Sequence, residues 1–328
     1  MYSIYLESYG NGNLLKVIEK TFKLLESCVI CPRKCKINRL KPATENSAGR
    51  GEKGFCKTAL LPKVFSYTQH YGEEPPISGQ NGSGTIFFSE CNMRCLYCQN
   101  YKFSQAGLGK EVETEELANY MLRLQDLGCH NINFVTPTHI LPQILKALYI
   151  AIPKGLKIPL CYNTSGYELP EIIKLLDGII DIYLPDMRYS DNESAIKYSS
   201  APDYPLYNQH SIKEMHRQVG IAQIDKNGII KRGMIIRHLV LPSKISGTKK
   251  IMKFIAEELS KETYISLMSQ YFPCHKIKKT DQLGRRITIE EYEEAQNIMH
   301  KYGLHNGWIQ EPDGLKKFAG VNMKQNLS

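Results

Sequence analysis

Six short apolar segments that alternate with amphipathic helical segments constrain the fold of this chain more than any other feature. The apolar segments are GTIFFSE (84–90), NINFVTP (131–137), IPLCYNT (158–164), IIDIYLP (179–185), MIIRHLVLP (234–242) and TYISLMSQYFP (263–273). They are nearly continuous in aliphatic and aromatic residues, which is typical of parallel strands covered on both faces. The helical segments are TEELANYMLRLQDLG (114–128), LPQILKALYIA (141–151), ELPEIIKLLDG (168–178), LYNQHSIKEMHRQVG (206–220) and TKKIMKFIAEELS (248–260). The alternation predicts a parallel α/β domain, either a partial (β/α)6 barrel or an open doubly wound sheet.

Polar sequences follow each predicted strand. In chain order they are CNMRCLYC, TPTH, YNTSG, PDMRY, LPSKISG and PCHK. In a barrel and in a doubly wound sheet alike, the chemistry takes place at the carboxyl ends of the strands. We therefore expect these polar groups to converge on one face of the domain, with three cysteines among them.

Those cysteines, Cys91, Cys95 and Cys98, follow the pattern C-x3-C-x2-C without a fourth cysteine nearby. A closed tetrahedral metal site needs four ligands. Three thiolates can instead bind three irons of a [4Fe–4S] cluster, which leaves the fourth iron open to chelate a substrate or a cofactor. The missing fourth cysteine therefore indicates a reactive cluster rather than a structural one.

This motif, placed directly after the first strand and with the aromatic Tyr97 before its last cysteine, resembles the radical S-adenosylmethionine (SAM) superfamily. The resemblance implies a partial (β/α)6 TIM-like barrel with a [4Fe–4S] cluster and SAM as cofactors. It implies an oxidoreductase that cleaves SAM reductively to methionine and a 5′-deoxyadenosyl radical, which abstracts hydrogen from a substrate. It also implies a flavodoxin- or ferredoxin-type electron donor.

A longer resemblance, over roughly residues 14–303, is to a subfamily described as relatives of pyruvate formate-lyase activating enzyme. It is carried by GTIFFSECNMRCLYCQNYKFSQ, HNINFVTPTHILPQIL, YNTSGYE, DIYLPDMRY, APDYP, EMHRQVG and IIRHLVLP, together with the N-terminal CVICPRKCKINR. The resemblance implies SAM contacts from the ends of the third, fourth and fifth strands, by Asn163, Thr164, Asp186, Arg188 and Arg237. Arg188 stands where the activating enzymes have lysine, and the two cations differ in geometry. His275 is similar in position to a histidine that contacts the ribose.

The chain departs from the activating enzymes after its second strand. A Gly-Gly-Glu-like turn binds the methionine amino group in those enzymes, whereas this chain has TPTH at 136–139. The resemblance therefore implies that Thr136, Thr138 or His139 supplies this contact. Around the cluster, Tyr97 is expected to shape the pocket, together with Arg94 and Asn100.

A second group of cysteines precedes the barrel. Cys28, Cys31, Cys35 and Cys56 have the form C-x2-C-x3-C-x20-C, interrupted by an apparent loop insertion, ATENSAG, at 43–49. Four thiolates can close an auxiliary [4Fe–4S] cluster or a structural zinc site, or the cysteines can remain reduced and metal-free. The remaining cysteines, Cys129, Cys161 and Cys274, are expected to be packing residues.

The predicted divisions are a Cys-rich extension (1–83), the barrel (84–275) and a C-terminal helix with a polar tail (276–328). No apolar run reaches 18 residues and the N-terminus lacks a secretory signal, so no membrane association and a cytoplasmic location are expected. The substrate is not identified by the sequence. A protein backbone, as in glycyl-radical enzyme activation, is the first hypothesis, and a peptide or small metabolite is the second. The third is a non-catalytic Fe–S or zinc module that binds nucleic acid through the basic face implied by the net charge of +9, although no RNA-binding motif accompanies that charge.

Overall fold

The computed structural model describes residues 3–40 and 54–310. The strands are β1 (Lys63–His70), β2 (Ser83–Phe88), β3 (Lys110–Glu111), β4 (Ile132–Val135), β5 (Leu160–Thr164), β6 (Ile182–Pro185), β7 (Gln223–Ile224), β8 (Ile230–Leu239), β9 (Tyr264–Met268) and β10 (Gly307–Ile309). The α-helices are α1 (Tyr5–Gly10), α2 (Asn13–Lys23), α3 (Pro75–Ser78), α4 (Tyr101–Ser104), α5 (Thr114–Asp126), α6 (Leu141–Ala151), α7 (Pro170–Ile173), α8 (Asn192–Ser199), α9 (Tyr204–Val219), α10 (Thr248–Phe254) and α11 (Ile289–Lys301). Short 3-10 turns lie at Thr138–Ile140, Ile152–Lys154, Lys174–Leu176 and Pro242–Lys244, and a π-helical turn lies at Ile255–Leu259.

Seven parallel strands form the main sheet in the order β2-β4-β5-β6-β8-β9-β10, which is also their order along the chain. In a doubly wound sheet the strand order reverses at a switch point. Here each new strand is added on the same side, as in a (β/α) barrel. The path ends at β10 on one side and at β3 on the other, so the arrangement is the partial barrel, and the doubly wound alternative is wrong.

The segment before the first predicted strand contributes a strand that the sequence did not reveal. β1 pairs antiparallel with β2, and His70 at its end lies opposite Ser83 at the start of β2. The loop after β1 is therefore placed at the amino ends of the parallel strands. The sheet thus continues across the predicted boundary at residue 84. The domain boundaries themselves stay a prediction. The predicted insertion at 43–49 and the tail from 311 onward lie outside the described residues.

The predicted helices are found where the 3.6-residue pattern placed them, with two shortened. The segment 168–178 is one α-helical turn, α7, that tightens into a 3-10 turn, and the segment 248–260 continues from α10 as a π-helical turn. A large apolar core lies between the helices and the sheet. A separate core rich in tyrosine surrounds the cysteine loop, and its buried members include Met93, Cys95, Tyr97, Tyr167, Tyr189, Tyr198, Tyr204 and Tyr271.

Candidate functional site

The loop that carries Cys91, Cys95 and Cys98 follows β2 and is held mainly through its backbone. The Arg94 amide donates to the carbonyl of Ser199 at 3.0 Å, and the next but one amide, of Leu96, donates to the carbonyl of Tyr198 at 2.8 Å. The Arg94 guanidinium also donates to the Cys91 carbonyl at 2.7 Å. Because these bonds use backbone groups of the loop, the three thiols are left available for ligation.

Each thiol of the loop has a nearby polar group that can donate to it. The Met93 amide donates to Cys91 Sγ at 3.3 Å. The Ser104 hydroxyl lies 3.1 Å from Cys98 Sγ. Hydrogen bonds and positive charge near a cysteine favour its thiolate form, which is the form that binds metal.

Cys95 is the most heavily supported of the three. Ser199 Oγ donates to Cys95 Sγ at 3.1 Å, and the Arg188 guanidinium lies 3.4 Å from the same sulfur. The Ser199 hydroxyl lies 2.7 Å from the Tyr189 hydroxyl, which lies 2.5 Å from the hydroxyl of Tyr97. This buried chain of hydroxyl groups fixes the side chain of Tyr97 within the cysteine loop.

Burial makes these thiols hard to ionise without a metal. It raises the pKa of Cys91 to about 12, and the neighbouring thiols of Cys95 and Cys98 add to the shift. The pKa of Cys98 is also raised, first by burial and then by Cys95. All three cysteines belong to one packed cluster of side chains, and metal ligation would offset the cost of deprotonating their thiols together.

Within residues 3–40 and 54–310, no three cysteine, histidine or acidic side chains are arranged to surround a single metal ion. A [4Fe–4S] cluster makes a different demand, because each cysteine binds a separate iron and the sulfurs lie farther apart than the ligands of one ion. Three thiols on one loop, with hydrogen-bond donors and a guanidinium beside them, fit such a cluster. The donor set therefore agrees with the cluster that the sequence predicts.

A cavity of about 300 Å³ opens beside this loop. It is lined by Tyr97, Cys98 and Asn100 from the cysteine loop, and by Thr136, Asn163, Thr164, Asp186, Arg188 and Arg237 from the strand ends. Residues that are separated by up to 140 positions in the chain thus meet in one space, as parallel strands with a common direction require. The volume lies at the lower end of the range for small-molecule sites.

Asp186 is the centre of the charged network in the cavity. Arg188 donates to Asp186 Oδ2 at 3.0 and 2.5 Å, and Arg237 Nε donates to Asp186 Oδ1 at 2.8 Å. Burial acts to raise the pKa of Asp186, but the two guanidiniums outweigh it and hold this pKa below its ordinary value. Arg237 also donates to Asn163 Oδ1 at 2.7 Å. The network holds Asp186, Arg188 and Arg237 in their ionised forms and fixes Asn163 by a hydrogen bond.

Thr136, Thr138 and His139 follow β4, and the sequence predicts that one of them contacts SAM. Only Thr136 lies at the cavity. Thr136 lines the cavity and has a left-handed backbone, with φ of 59°. Such strain in a β-branched residue is uncommon and is concentrated at functional sites. Thr138 instead donates to buried Glu168 at 2.5 Å, and His139 lies 2.9 Å from the Ser89 carbonyl; neither lines the cavity.

His275 also lies outside the cavity lining. Its ring stacks on Tyr101 with centroids 4.5 Å apart, and its Nε2 lies 3.3 Å from Gln105 Oε1. Among the packing cysteines, Cys129 and Cys161 are buried, and Cys274 is half-buried with its thiol 3.3 Å from the Tyr97 carbonyl. All ten cysteines are free of disulfide bonds.

Sequence reasoning missed two glutamates of the site. Glu73 and Glu74 lie in a segment that reads as a Pro- and Gly-rich loop, yet both line the cavity. Glu73 Oε1 accepts from Asn133 at 3.0 Å and from Asn163 at 3.3 Å, and its Oε2 lies 3.4 Å from Arg237. The available signal was a pair of acidic residues directly before Pro75, which is found at the first position of α3.

The N-terminal cysteines also form a group. Burial raises the pKa of Cys31, and the thiols of Cys56, Cys28 and Cys35 raise it further, so the four thiols lie close enough to interact. The Phe55 amide donates to Cys35 Sγ at 3.3 Å, and buried Arg39 lies 3.8 Å from Cys28 Sγ.

A stack of side chains joins this N-terminal group to the cysteine loop. The Arg33 guanidinium lies 3.6 Å from the centroid of the Phe55 ring, and that of Arg94 lies 4.7 Å from it. Arg33 donates to the Asn92 carbonyl at 2.8 Å, and Arg94 donates to the Phe55 carbonyl at 2.5 Å. The two groups of cysteines are therefore tied together by direct contacts between their own loops.

The comparisons with known proteins agree with this site. The model of the radical SAM superfamily matches residues 85–199, which include the cysteine loop and strands β4 to β6. The uncharacterised protein MJ0674 of Methanocaldococcus jannaschii is 31% identical over 309 residues, which make up 90% of this chain and 81% of that protein. The uncharacterised protein MJ0808 of the same organism is 24% identical over 294 residues, 80% of this chain and 78% of that protein.

Solved structures with similar folds are more distant. SuiB of Streptococcus suis, bound to the precursor peptide SuiA, has a TM-score of 0.46 and 10% identity over 65% of this chain and 44% of its own. TYW1 with a lysine-pyruvate adduct bound has a TM-score of 0.44 and 12% identity over 66% of this chain and 73% of its own. anSMEcpe with bound AdoMet has a TM-score of 0.44 and 14% identity over 65% of this chain and 57% of its own. The chain thus spans less than two thirds of SuiB and of anSMEcpe.

In the part of the chain that the structure describes, every helix is too short or too polar to cross a bilayer.

Proposed function

The chain belongs to the radical SAM superfamily, and from this premise we propose that Cys91, Cys95 and Cys98 hold the [4Fe–4S] cluster and that SAM binds in the adjoining cavity. In this superfamily the bound cluster supplies the electron that cleaves SAM to methionine and a 5′-deoxyadenosyl radical. The observation that carries the proposal is that Cys98 and the charged network around Asp186 line the same cavity.

The charged network is suited to the methionyl end of SAM. Arg188 uses both acceptor positions of Asp186 Oδ2, and Arg237 uses one of the two on Oδ1. One acceptor position of Asp186 is left for an ammonium group, because a carboxylate has about four in total. Arg237 has further N–H groups with which it can meet a carboxylate.

The polar backbone and side chains around this network complete the proposed SAM pocket. Thr136, Asn163 and Thr164 line the cavity from the ends of β4 and β5. Tyr97 forms the wall beside the cysteine loop and is held there by Tyr189. We propose that these residues orient SAM against the open iron. Thr138 lies outside the cavity, and its role is to hold Glu168, which also accepts a hydrogen bond from Thr164.

Anaerobic reconstitution tests the cluster assignment. With dithionite and SAM, the wild-type protein is expected to release 5′-deoxyadenosine. Cys95→Ala is expected to lose this product and the absorbance of the cluster, whereas Cys129→Ala, at a buried cysteine outside the site, is expected to keep both. Product formation by Cys95→Ala at the wild-type rate would contradict the assignment.

For the substrate we propose a protein backbone, as in the activation of a glycyl-radical enzyme. Support for this comes from the sequence segments that are similar to relatives of pyruvate formate-lyase activating enzyme. A glycyl-radical signal on a co-expressed partner, seen by electron paramagnetic resonance and absent with Cys95→Ala, is the expected result. Without that signal, modification of a peptide or a small metabolite becomes the better hypothesis.

We also propose that Cys28, Cys31, Cys35 and Cys56 hold an auxiliary [4Fe–4S] cluster. Support comes from the mutual proximity of the four thiols and from the hydrogen-bond donors beside two of them, the Phe55 amide at Cys35 and Arg39 at Cys28. The stack of Arg33, Phe55 and Arg94 gives this cluster a short route for electrons that arrive from a flavodoxin- or ferredoxin-type donor.

Metal analysis tests the auxiliary cluster. Reconstituted wild-type protein is expected to contain about eight irons per chain, and Cys31→Ser about four. Bound zinc that is lost in the variant would establish the zinc alternative instead. Equal iron in both proteins would leave the auxiliary cluster without support.

A further inference from the structure

The end of the cavity opposite the cysteine loop is formed by the segment between β1 and β2. β1 runs antiparallel to β2, so this segment lies at the amino ends of the parallel strands, beneath the site proposed for SAM. Glu74 is the residue before α3, and its carbonyl accepts from the amides of Ile77 and Ser78 at 2.8 and 3.1 Å. Ile77 is fully buried, and its carbonyl accepts from Asn131 at 2.8 Å. Glu74 therefore has a rigid backbone at the floor of the cavity.

Glu74 has an unused acceptor in this position. Its side chain is more than nine-tenths buried, and its Oε2 atom has no hydrogen-bond partner among the described residues. Its other contact is with the hydroxyl of Ser266 on β9. A buried carboxylate oxygen without a partner is costly, because its hydration is lost and nothing replaces it.

The charges that line the cavity are unequal. Three carboxylates, those of Glu73, Glu74 and Asp186, face two guanidiniums, those of Arg188 and Arg237. Both guanidiniums are engaged by Asp186, and only Arg237 reaches Glu73, at 3.4 Å. Within the described residues, no lysine, arginine or histidine lies within ion-pair distance of Glu74. Arg237 acts on Glu74 only from beyond that distance, so the floor has an acidic group without a direct cationic partner among the described residues.

We propose that Glu74, assisted by Glu73, binds an organic cation at the cavity floor, namely the ammonium or guanidinium end of the substrate. This rests on the proposed function, because it treats the upper part of the cavity as the SAM site. A cationic group would occupy the free acceptor of Glu74 and balance the third carboxylate. The methionyl ammonium of SAM does not serve this purpose, because the free acceptor of Asp186 and the open iron are assigned to it.

Small probes test the inference on the reconstituted enzyme with SAM. Thermal unfolding is followed at constant ionic strength with butylamine, butylguanidine, butanol or butyrate, because a ligand that binds only the folded state raises the unfolding temperature. We expect one or both cations to stabilise the wild-type protein, and butanol and butyrate not to. The two cations separate an ammonium site from a guanidinium site.

Variants locate the effect. Glu74→Gln is expected to weaken binding of the cation about 30-fold or more, since one partner of a buried charge pair is lost. Glu113→Gln, at an exposed glutamate outside the cavity, is the matched control and is expected to bind like the wild type. If Glu74→Gln does not fold, Glu74→Asp, which keeps the charge, is expected to retain the preference for a cation.

Two results would overturn the inference: stabilisation by butanol equal to that by the cations, or wild-type affinity in Glu74→Gln. Release of 5′-deoxyadenosine by the wild-type protein is measured in the same preparation. Its absence would contradict the proposed function, whereas cation binding at Glu74 is decided by the probes alone.

Discussion

Replacing Asp186 with asparagine tests whether burial, rather than contact distance, makes the charged network strong. The chain offers a matched exposed pair. Arg188 lies 2.5 Å from Asp186 with the two side chains 26% and 7% exposed, and Arg217 lies 2.5 Å from Asp177 with side chains 53% and 49% exposed. The contact distance is the same in the two pairs, whereas the access of water differs.

The expected magnitudes differ several-fold. Asp186→Asn leaves two largely buried guanidiniums without the Asp186 carboxylate, and breaking a buried pair in this way costs about 3–5 kcal/mol of unfolding free energy. Asp177→Asn removes an exposed contact, which is worth about 0.2–1 kcal/mol because water and salt screen it. Arg217 also keeps a second partner, Glu214, at 2.7 Å.

Urea unfolding of the metal-free, reduced proteins measures both changes. We expect the midpoint for Asp186→Asn to fall well below that of Asp177→Asn, with similar slopes for the three proteins. We also expect Asp186→Asn to bind SAM more weakly after reconstitution. A loss of less than about 1 kcal/mol for Asp186→Asn, equal to that for Asp177→Asn, would refute the reasoning from burial.

Three further predictions concern acid stability, backbone space and the cluster. Burial lowers the pKa of His238 to about 4, below the value of about 6.5 for an unfolded chain, so its contribution to stability is complete above pH 6.5 and is lost as the pH falls toward 4. His238→Gln should therefore reduce the difference in unfolding free energy between pH 7 and pH 4.5 by about 2.5 kcal/mol, and an unchanged difference would contradict this. Gly166 and Gly155 both have a positive φ, but a methyl group at Gly166 would meet the Asn208 amide, whereas Gly155 has open space around it. Gly166→Ala should therefore lower the free energy of unfolding by about 1–3 kcal/mol more than Gly155→Ala. Equal losses in urea unfolding would contradict this. Ser199→Ala removes a donor to Cys95, a proposed cluster ligand, and should lower the reduction potential on the order of 50 mV in a redox titration. A rise would show that the donor does not stabilise the reduced cluster.

Whether a buried carboxylate of the cavity has a partner determines what its replacement is expected to change. Among the three carboxylates that line the cavity, those of Glu73 and Asp186 are paired with other side chains, whereas Oε2 of Glu74 has no partner among the described residues. Removing a member of a satisfied pair is therefore expected to cost stability. Removing the unsatisfied one is expected to cost ligand binding instead, since only a bound cation would satisfy it.

Local patterns predicted the parts of the site that follow the strands directly. A nearly continuous apolar segment that ends in a polar sequence specifies a buried parallel strand and the face at which its end emerges. This placed the three cysteines and Asp186 in one region, whereas Arg237, which lies within β8, was implied only by the resemblance to the activating enzymes. Thr138 shows the limit of this reasoning, because a 3-10 turn at 138–140 directs its hydroxyl to Glu168 and away from the cavity.

The sequence by itself determined the alternation of strands and helices, the three-cysteine motif and the strand ends that form the upper part of the cavity, because each depends on residues that are close together in the chain. Only the tertiary structure decided that the sheet winds in one direction, that β1 joins it, and that Glu73 and Glu74 reach the cavity floor. These features depend on contacts such as those of Glu73 with Asn163 and Arg237, which are 90 and 164 positions away. No short-range pattern in the chain encodes such contacts, since the packing of the whole barrel brings the partners together.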